Sequence, residues 1–510
     1  MSQLLTRFSH VQAHEFNASI RSRGVESKVP DPVAEKWMRD MNPQQAAAVG
    51  CERRGAVLVL AGAGSGKTTV LTRRVAYLLE GDPGAGILAL TFTKDAAHEM
   101  GERLRALLGP SAPTVSFPAI GTFHAFAFGL IRSGSAGGPN WSRLGFASCP
   151  SLLEPDQVAS WLKAAKRELA LEAPLEMLEE WIRNPFSGRP DEGESPRLGL
   201  RGKFRRYLLE TGSVSFDDMV ALAIRLLSEH PEVREEVRGR YRSILVDELQ
   251  DTSGDQLELI GLMTGSDPSL FLVGDDDQAI YGFRGADPGN IGAARSRFPG
   301  LRIIKLETNY RSSAPIVAYA NEVFRDKPES LRKRLEAGRP RGSAPVRTIS
   351  HRNGAEQAEW MVAEMRRLRE AEGLAWSDIA VLFRLNALEP YYRSMLTRLA
   401  GETAAREVVL STVHASKGLE YPAVFFAGLE DGILPYRRGK APLPPERLAE
   451  ERRIFYVGVT RAQRFLYLCS CRRRMLRGKT VEAEASPFLR PLRKGPAGWW
   501  SSFRAKKGTP

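Results

Sequence analysis

The stretch "GAVLVLAGAGSGKTTVLTRRVAYLL", residues 55–79, decides the fold. Its opening run of valine and leucine reads as a buried strand. "AGAGSGKTT", 61–69, follows, and then a segment with helical spacing. Strand, glycine loop and helix in that order is the context of a phosphate-binding loop. Ala61, Gly62, Ala63, Gly64, Ser65, Gly66, Lys67, Thr68 and Thr69 form the expected cradle. Small residues let backbone N–H groups converge on phosphates at a helix N-terminus. Lys67 is expected on the β- and γ-phosphates of a bound nucleotide and Thr68 on Mg²⁺. Ala61 stands where the general pattern has its first glycine, and a small residue suffices there. A ligand-free glycine turn is the bland alternative; the flanking strand and helix, with Gly66-Lys67-Thr68, argue against it.

Working outward, the same order recurs. "AGILALTFTKDAAHEMGERLRALL" is again strand, loop, helix, and "RSILVDELQDTSGDQLELI" and "PSLFLVGDDDQAIYGF" are apolar strands ending in acids and amides. Apolar strands alternating with amphipathic helices indicate an α/β protein with parallel layers, whose chemistry collects at the strands' carboxyl ends. Between about 130 and 215 the rhythm gives way to basic helical sequence such as "SLLEPDQVASWLKAAKREL" and "RGKFRRYLLETG". A second α/β series starts after Phe298-Pro299-Gly300, with "LRIIKLETNYRSS", "SDIAVLFRLN", "EVVLSTVHASKGLE", "AVFFAGLED" and "FLYLCSC" as strands.

At 510 residues two or more domains are expected. The spacing predicts an extension over 1–40, a first domain over 41–130 and 215–298, a helical insertion over 131–214, a second domain over 299–490 and a basic aromatic tail over 491–510. A net charge of +13 favours a polyanionic partner, nucleic acid first. No apolar run reaches the roughly 18–20 residues that span a bilayer, so no membrane partner is expected. The N-terminus lacks an apolar h-region, so the cytoplasm is the expected location. Cys51, Cys149, Cys469 and Cys471 fit neither a zinc ribbon nor a redox pair and are read as structural thiols.

"ILVDELQD", 244–251, ends an apolar strand in adjacent carboxylates. Beside a phosphate loop, Asp247 is expected to hold Mg²⁺ through water and Glu248 to activate the attacking water. "VGDDDQAIYGFRGAD", 273–287, brings Gln278, an amide able to sense a γ-phosphate, near Tyr281 and Phe283 beside Arg284. Such aromatics can stack on the bases of a single strand. Taken alone, those two rings read equally as ordinary packing.

In order along residues 41–470, the motifs resemble those of superfamily 1 helicases of the UvrD/Rep/PcrA type. "MNPQQAAAV" resembles the adenine-reading Q motif with Gln45 in the reading position, and "AGAGSGKT" is motif I in the family's own form. "LTFTKDAAHEM" and "GTFHAF" resemble motifs Ia and Ib. "VDELQD", "VGDDDQAIYGFRGAD", "LETNYRSS", "LSTVHASKGLE" and "EERRIFYVGVTRA" resemble motifs II to VI. Three positions depart from the usual pattern: Lys94 for asparagine, Leu249 for an aromatic and Phe283 for tryptophan.

The resemblance implies two RecA-like P-loop NTPase domains, the first carrying a helical 1B-type insertion. It implies Tyr310 on the adenine, and Arg311 and Arg461 reaching the γ-phosphate from the second domain. Gln278 and Glu420 would couple the nucleotide to the DNA side. Thr91, Phe92, Thr93, Thr122, His124, Tyr281, Phe283, Thr412 and His414 would line a single-strand track. Between "VLFRLN" and motif V the family carries a large 2B domain. Here "ALEPYYRSMLTRLAGETAARE" offers one helix and a turn, so that insertion is expected to be absent or vestigial. The implied function is an ATP-dependent DNA helicase moving 3′ to 5′ on single-stranded DNA and at single-strand/duplex junctions. The alternative is a DNA-stimulated ATPase motor or sensor subunit of a repair, mobile-element or phage-defence complex that unwinds little alone. The tail, with Trp499, Trp500 and Phe503 among basic residues, is a candidate docking peptide for a protein partner.

Overall fold

The computed structural model describes residues 32–109, 117–135, 137–182, 196–266, 268–282, 286–287, 289–327, 332–338, 344–437, 439, 441–476, 478–489 and 500–504. The first valine-leucine run forms β1 (Gly55–Ala61), buried from Ala56 onward because strands flank it on both sides. With β2 (Ile87–Thr91), β3 (Ala119–Thr122), β4 (Ser243–Val246), β5 (Ser269–Gly274) and β6 (Arg302–Leu306) it makes a parallel sheet. The order is β6-β1-β5-β4-β2-β3. The ends of β1, β4 and β5 therefore lie side by side, and they carry the phosphate loop, Asp247-Glu248 and the Asp275–Gln278 segment.

The second sheet contains β7 (Val346–Asn353), β8 (Ile379–Phe383), β9 (Val409–Thr412), β10 (Tyr421–Phe426), β11 (Ala462–Leu476) and β12 (Trp500–Arg504). Its order is β9-β8-β10-β11-β7-β12, all parallel, with Lys479–Glu482 folding back antiparallel on β11.

Three expectations are refined. The strand Arg302–Leu306, assigned from sequence to the second domain, pairs with β1 and completes the first sheet. Ile303, Ile304 and Leu306 pack on the first domain's core, so its sheet runs past the expected boundary at 298. The segment between β8 and β9 holds two helices, Glu389–Ala400 and Glu402–Glu407, where one helix and a turn were expected. Gly401, at φ +93°, makes the sharp corner between them. Leu388, Tyr392, Leu396, Ala404 and Ala405 join the core around Phe383 and Phe425, so these helices belong to the second α/β layer. The expected absence of a 2B-type domain holds at this connection. Of the tail, Trp500–Arg504 pairs in parallel with Val346–Ser350, so this stretch extends the second sheet. Trp499 and the expected 1–31 portion of the extension lie outside the described residues.

Helices Pro155–Glu168, Leu175–Ile182 and Pro196–Thr211 fill the expected insertion. Their Leu162, Leu178, Phe204 and Leu208 belong to one continuous core with Leu58 and Leu88 of the first sheet. The insertion is thus fused to the first domain through shared apolar burial, the main favourable term in such packing.

Asp218 begins the helix Asp218–Glu229 fully buried, and the Ser215 hydroxyl donates to its carboxylate. Burial pushes this carboxyl up to about 8, with Asp217 adding to the rise and Ser215 and Arg201 opposing it. An unfolded aspartate titrates near ~3.9. The folded chain keeps a proton that the unfolded chain releases. The resulting stability is complete below about pH 4 and is lost as pH rises through the folded value. Asp218→Asn should therefore raise the thermal midpoint at neutral pH. Its advantage over the parent should widen between about pH 4 and 8 in thermal unfolding; an advantage constant with pH contradicts this account.

Candidate nucleotide and single-strand site

The phosphate loop turns on Gly64 and Gly66, at φ +67° and +83°. A side chain at Gly64 would meet Arg311 and Asn309, and one at Gly66 would meet Gln45. The loop is thus held by the Q-motif helix and by the segment after β6. Asn42 caps the helix Pro43–Val49 by accepting from the Gln45 N–H. Gln45 Nε2 then donates to the Ser65 carbonyl at 2.9 Å. Asn309 Nδ2 donates to the Ala63 carbonyl at 2.7 Å, and the Tyr310 N–H to the Gly64 carbonyl at 2.8 Å. Asn42 Nδ2 donates to the Tyr310 hydroxyl at 2.8 Å, which sets that ring beside the loop.

Lys67 Nζ lies 2.8 and 2.9 Å from the two Glu248 oxygens. Gln250 also donates to Glu248. Burial would raise the Glu248 carboxyl, but Lys67 and Lys417 outweigh it and keep it low and ionised. Asp247 goes the other way, raised by burial and by the Glu248 charge beside it. Glu248 sits in the left-handed region at φ +52°, a conformation that costs energy for a residue with a side chain. It swings the carboxylate toward Lys67.

The residues fit a nucleotide with a divalent cation. Ser65 Oγ is buried with no hydrogen-bond partner among the described residues, at the centre of the cradle. The raised Asp247 carboxyl is a group whose anion a nearby cation stabilises.

From the second half of the chain come Arg311, Arg461 and Glu420. Arg311 pairs with Glu420 and donates to the Thr460 carbonyl at 3.1 Å. Gln463 Nε2 donates to the other Glu420 oxygen at 2.8 Å. Arg461 is buried and donates to the Val457 and Leu419 carbonyls at 3.0 and 3.1 Å. Its Nη2 reaches Gln278 Oε1 of the first domain at 3.3 Å. Burial, and then the Arg311 charge, push its guanidinium down from the usual range.

On the far side of these strand ends, the Phe92 and Tyr281 rings stack at 5.1 Å with 20° between planes. The Tyr281 hydroxyl donates to the His414 carbonyl at 3.2 Å. Lys417 lies 5.0 Å above the Tyr281 ring, pairs with Asp251, and donates to the Gln278 carbonyl at 2.8 Å. One lysine therefore touches the aromatic row, the acidic strand end and the Gln278 loop. His124 instead stacks on Phe216 at 3.9 Å.

Several expected DNA contacts have local structural duties. The Thr93 and Thr122 hydroxyls cap helices Lys94–Leu108 and Phe123–Arg132. Thr412 accepts from the Ala415 N–H in the motif V turn. Thr91 is fully buried and donates to the Thr93 carbonyl, which corrects its placement on the track surface: its side chain shapes the strand end from below. Gln45, expected on an adenine, holds the phosphate loop with its Nε2. Phe283 lies outside the described residues. Sequence reading missed Phe216, 53% exposed against His124, and Lys417. Phe216 is marked in the sequence only as an aromatic between a serine and two aspartates; Lys417 was visible within motif V.

The fold and this cleft define a two-domain P-loop ATPase, with Arg461 of one half meeting Gln278 of the other at one seam. The UvrD/REP helicase N-terminal domain family matches residues 41–299, and the UvrD-like helicase C-terminal domain family matches 304–399 and 393–473. The chain belongs to the UvrD-like helicase family and is an ATP-dependent helicase of that class. It is 31% identical to the probable DNA helicase of Mycoplasma pneumoniae, over 90% of this chain and 88% of the relative. It is 27% identical to the ATP-dependent DNA helicase Rep of Escherichia coli, over 89% of this chain and 94% of Rep. That alignment runs over 643 residues, so Rep carries stretches with no counterpart here. With the UvrD1 helicase of Mycobacterium tuberculosis the identity is 33% over 71% of this chain and 49% of the relative, about half its length.

Glu248→Gln should cut ATP turnover by roughly 10²–10⁴-fold, the range for losing a positioned general base. Nucleotide affinity should be kept or increased, since Lys67 loses its competing carboxylate. Steady-state turnover beside equilibrium nucleotide binding checks both; normal turnover removes Glu248 from the role of base.

Proposed function

We propose that the chain is an ATP-driven DNA helicase that translocates 3′ to 5′ along single-stranded DNA in the cytoplasm and acts at single-strand/duplex junctions. The observation that carries this reading is the seam itself: Arg461 of the second domain hydrogen-bonded to Gln278 of the first, one loop away from the Phe92–Tyr281–His414 row. ATP bound by Lys67 and the loop glycines would present its γ-phosphate to Gln278, Arg311 and Arg461. Thr68 and Asp247 would hold Mg²⁺, which supplies charge neutralisation on the phosphoryl oxygens. Tyr310 would stack on the adenine. Glu248 would take the proton of the attacking water, and the two arginines would stabilise charge spreading over the transferred group. The same contacts would draw the domains together, and their loss after hydrolysis would release them.

The aromatic row fits unpaired bases, which every sequence offers as stacking faces. A change at Gln278 or Lys417 alters the floor of that row, because Lys417 contacts both. The DNA contacts carried by this proposal are Phe92, Tyr281, His414, His124 and Phe216, with Thr93, Thr122 and Thr412 flanking them; Phe283 is included on its motif position alone.

The short β8–β9 connection favours a second reading, a DNA-stimulated motor or sensor subunit that unwinds little alone. Strand displacement on duplexes with a 3′ or a 5′ tail, beside ATP turnover with and without single-stranded DNA, separates the readings. The proposal expects stimulated turnover and displacement of the 3′-tailed duplex only. Stimulated turnover without displacement selects the motor subunit. Equal displacement of both tails, or turnover indifferent to DNA, contradicts the proposal.

A further inference from the structure

Asp275, Asp276 and Asp277 place three carboxylate oxygens within 4.8 Å of one another. So close a trio needs a cation, and the chain supplies its own. Lys333 Nζ lies 2.7 Å from Asp275 and 2.9 Å from Asp277, and also pairs with Asp276. Its side chain is 1% exposed. Lys327 pairs with Asp276 and, at 2.7 Å, with Asp277. An ammonium this deep is tolerated only where carboxylates surround it. Burial works against its charge, and the three aspartates more than restore it.

Asp275, itself fully buried, passes the connection on in two directions. One oxygen accepts from Gln278 Nε2 at 2.6 Å, and the Gln278 oxygen accepts from Arg461. The Asp275 N–H donates to Gln250 at 2.8 Å, and Gln250 donates to Glu248. Lys333 is in turn fixed to the far side of the seam. Leu335 exchanges hydrogen bonds with Asn321 of the helix Ala314–Val323, which packs on the second domain. Glu336 and Ala337 pair with Thr308 and Asn309, the residues just before Tyr310 and Arg311.

We propose that Lys333 is a positioning residue which, through Asp275, fixes the Gln278 amide against Arg461 and ties its orientation to the position of the second domain. The proposal rests on the ATP-driven motor reading above. Without Lys333, Lys327 still pairs with Asp276 and Asp277, but Asp275 loses its cation, is repelled by its neighbours and turns away from Gln278. Nucleotide binding, which depends on the loop and Lys67, stays. Turnover in response to DNA, which depends on Gln278 and Arg461 acting together, falls.

Lys333→Met, Lys333→Arg, Gln278→Ala and the Lys333→Met/Gln278→Ala pair are measured beside the unmodified protein. The readouts are turnover with and without single-stranded DNA and affinity for a fluorescent ATP analogue. Lys333→Met is expected to lose about 10-fold in stimulated turnover, as removal of an orienting partner typically costs, with analogue affinity within about twofold. Lys333→Arg keeps a cation there and should recover most of the loss. In the Gln278→Ala background Lys333→Met should cost nothing further. If Lys333→Met does not fold, Asp275→Asn, which keeps the shape and removes the charge, is carried through the same cycle with the same expectation. Additive losses, or a fall in analogue affinity matching the fall in turnover, overturn the relay. If the unmodified protein is stimulated by DNA and Lys333→Met is stimulated equally, the relay alone falls. If the unmodified protein is not stimulated, the motor reading falls with it.

Discussion

The seam depends on one buried guanidinium. Arg461 is almost wholly inaccessible, yet its hydrogen-bond acceptors among the described residues are carbonyls, a hydroxyl and the Gln278 amide oxygen. A buried charge is costly unless an opposite charge compensates it. The other cations of the cleft are paired: Lys67 with Glu248, Arg311 with Glu420, Lys417 with Asp251. Arg461 has no carboxylate among its hydrogen-bond partners in the described residues, at the point where the two halves of the chain touch. The more distant Glu248 and Glu420 charges favour its ionised form. In the function we propose, a terminal phosphate would supply an opposite charge in direct contact and so couple nucleotide chemistry to domain position.

The remaining architecture serves that contact. Strand order in the first sheet brings the phosphate loop, Glu248 and Gln278 to neighbouring strand ends, and the second sheet presents β10, β11 and their loops opposite. Asn309 and Tyr310 bind the phosphate loop directly, so the linker between the sheets is part of the site. The two helices between β8 and β9 bury their apolar faces in the second domain. The protein thus lacks an extra domain at that connection.

Much of this was legible in the sequence because the chemistry admits few residue types. A phosphate loop needs small residues and a lysine; the strand ends need Asp247, Glu248 and Gln278. Periodicity separated strands from helices and located the helical insertion. It could not assign Arg302–Leu306 to a sheet, because an apolar run does not say which edge it completes; β1 had an open side, and Ile303 and Ile304 matched the first core. Lys333 was hidden for a related reason. A lysine among "SLRKRLEAG" reads as solvated surface, and only the tertiary fold brings it to Asp275. Thr91, Thr93 and Thr122 lie at motif positions, but their hydroxyls are already engaged with the backbone, which spacing cannot reveal.

The central claim is that Arg461 and Gln278 convert nucleotide binding into domain position. The most direct measurement is the distance between dyes at Glu102 and Glu370, exposed on helices of the first and second domains, with the exposed Cys149 replaced. A non-hydrolysable ATP analogue with Mg²⁺ should shift and narrow the distance distribution in the otherwise unmodified protein. In Arg461→Ala and Gln278→Ala the analogue should still bind, without that shift. A shift of the same size in both variants, or none in the unmodified protein at saturating analogue, would contradict the account.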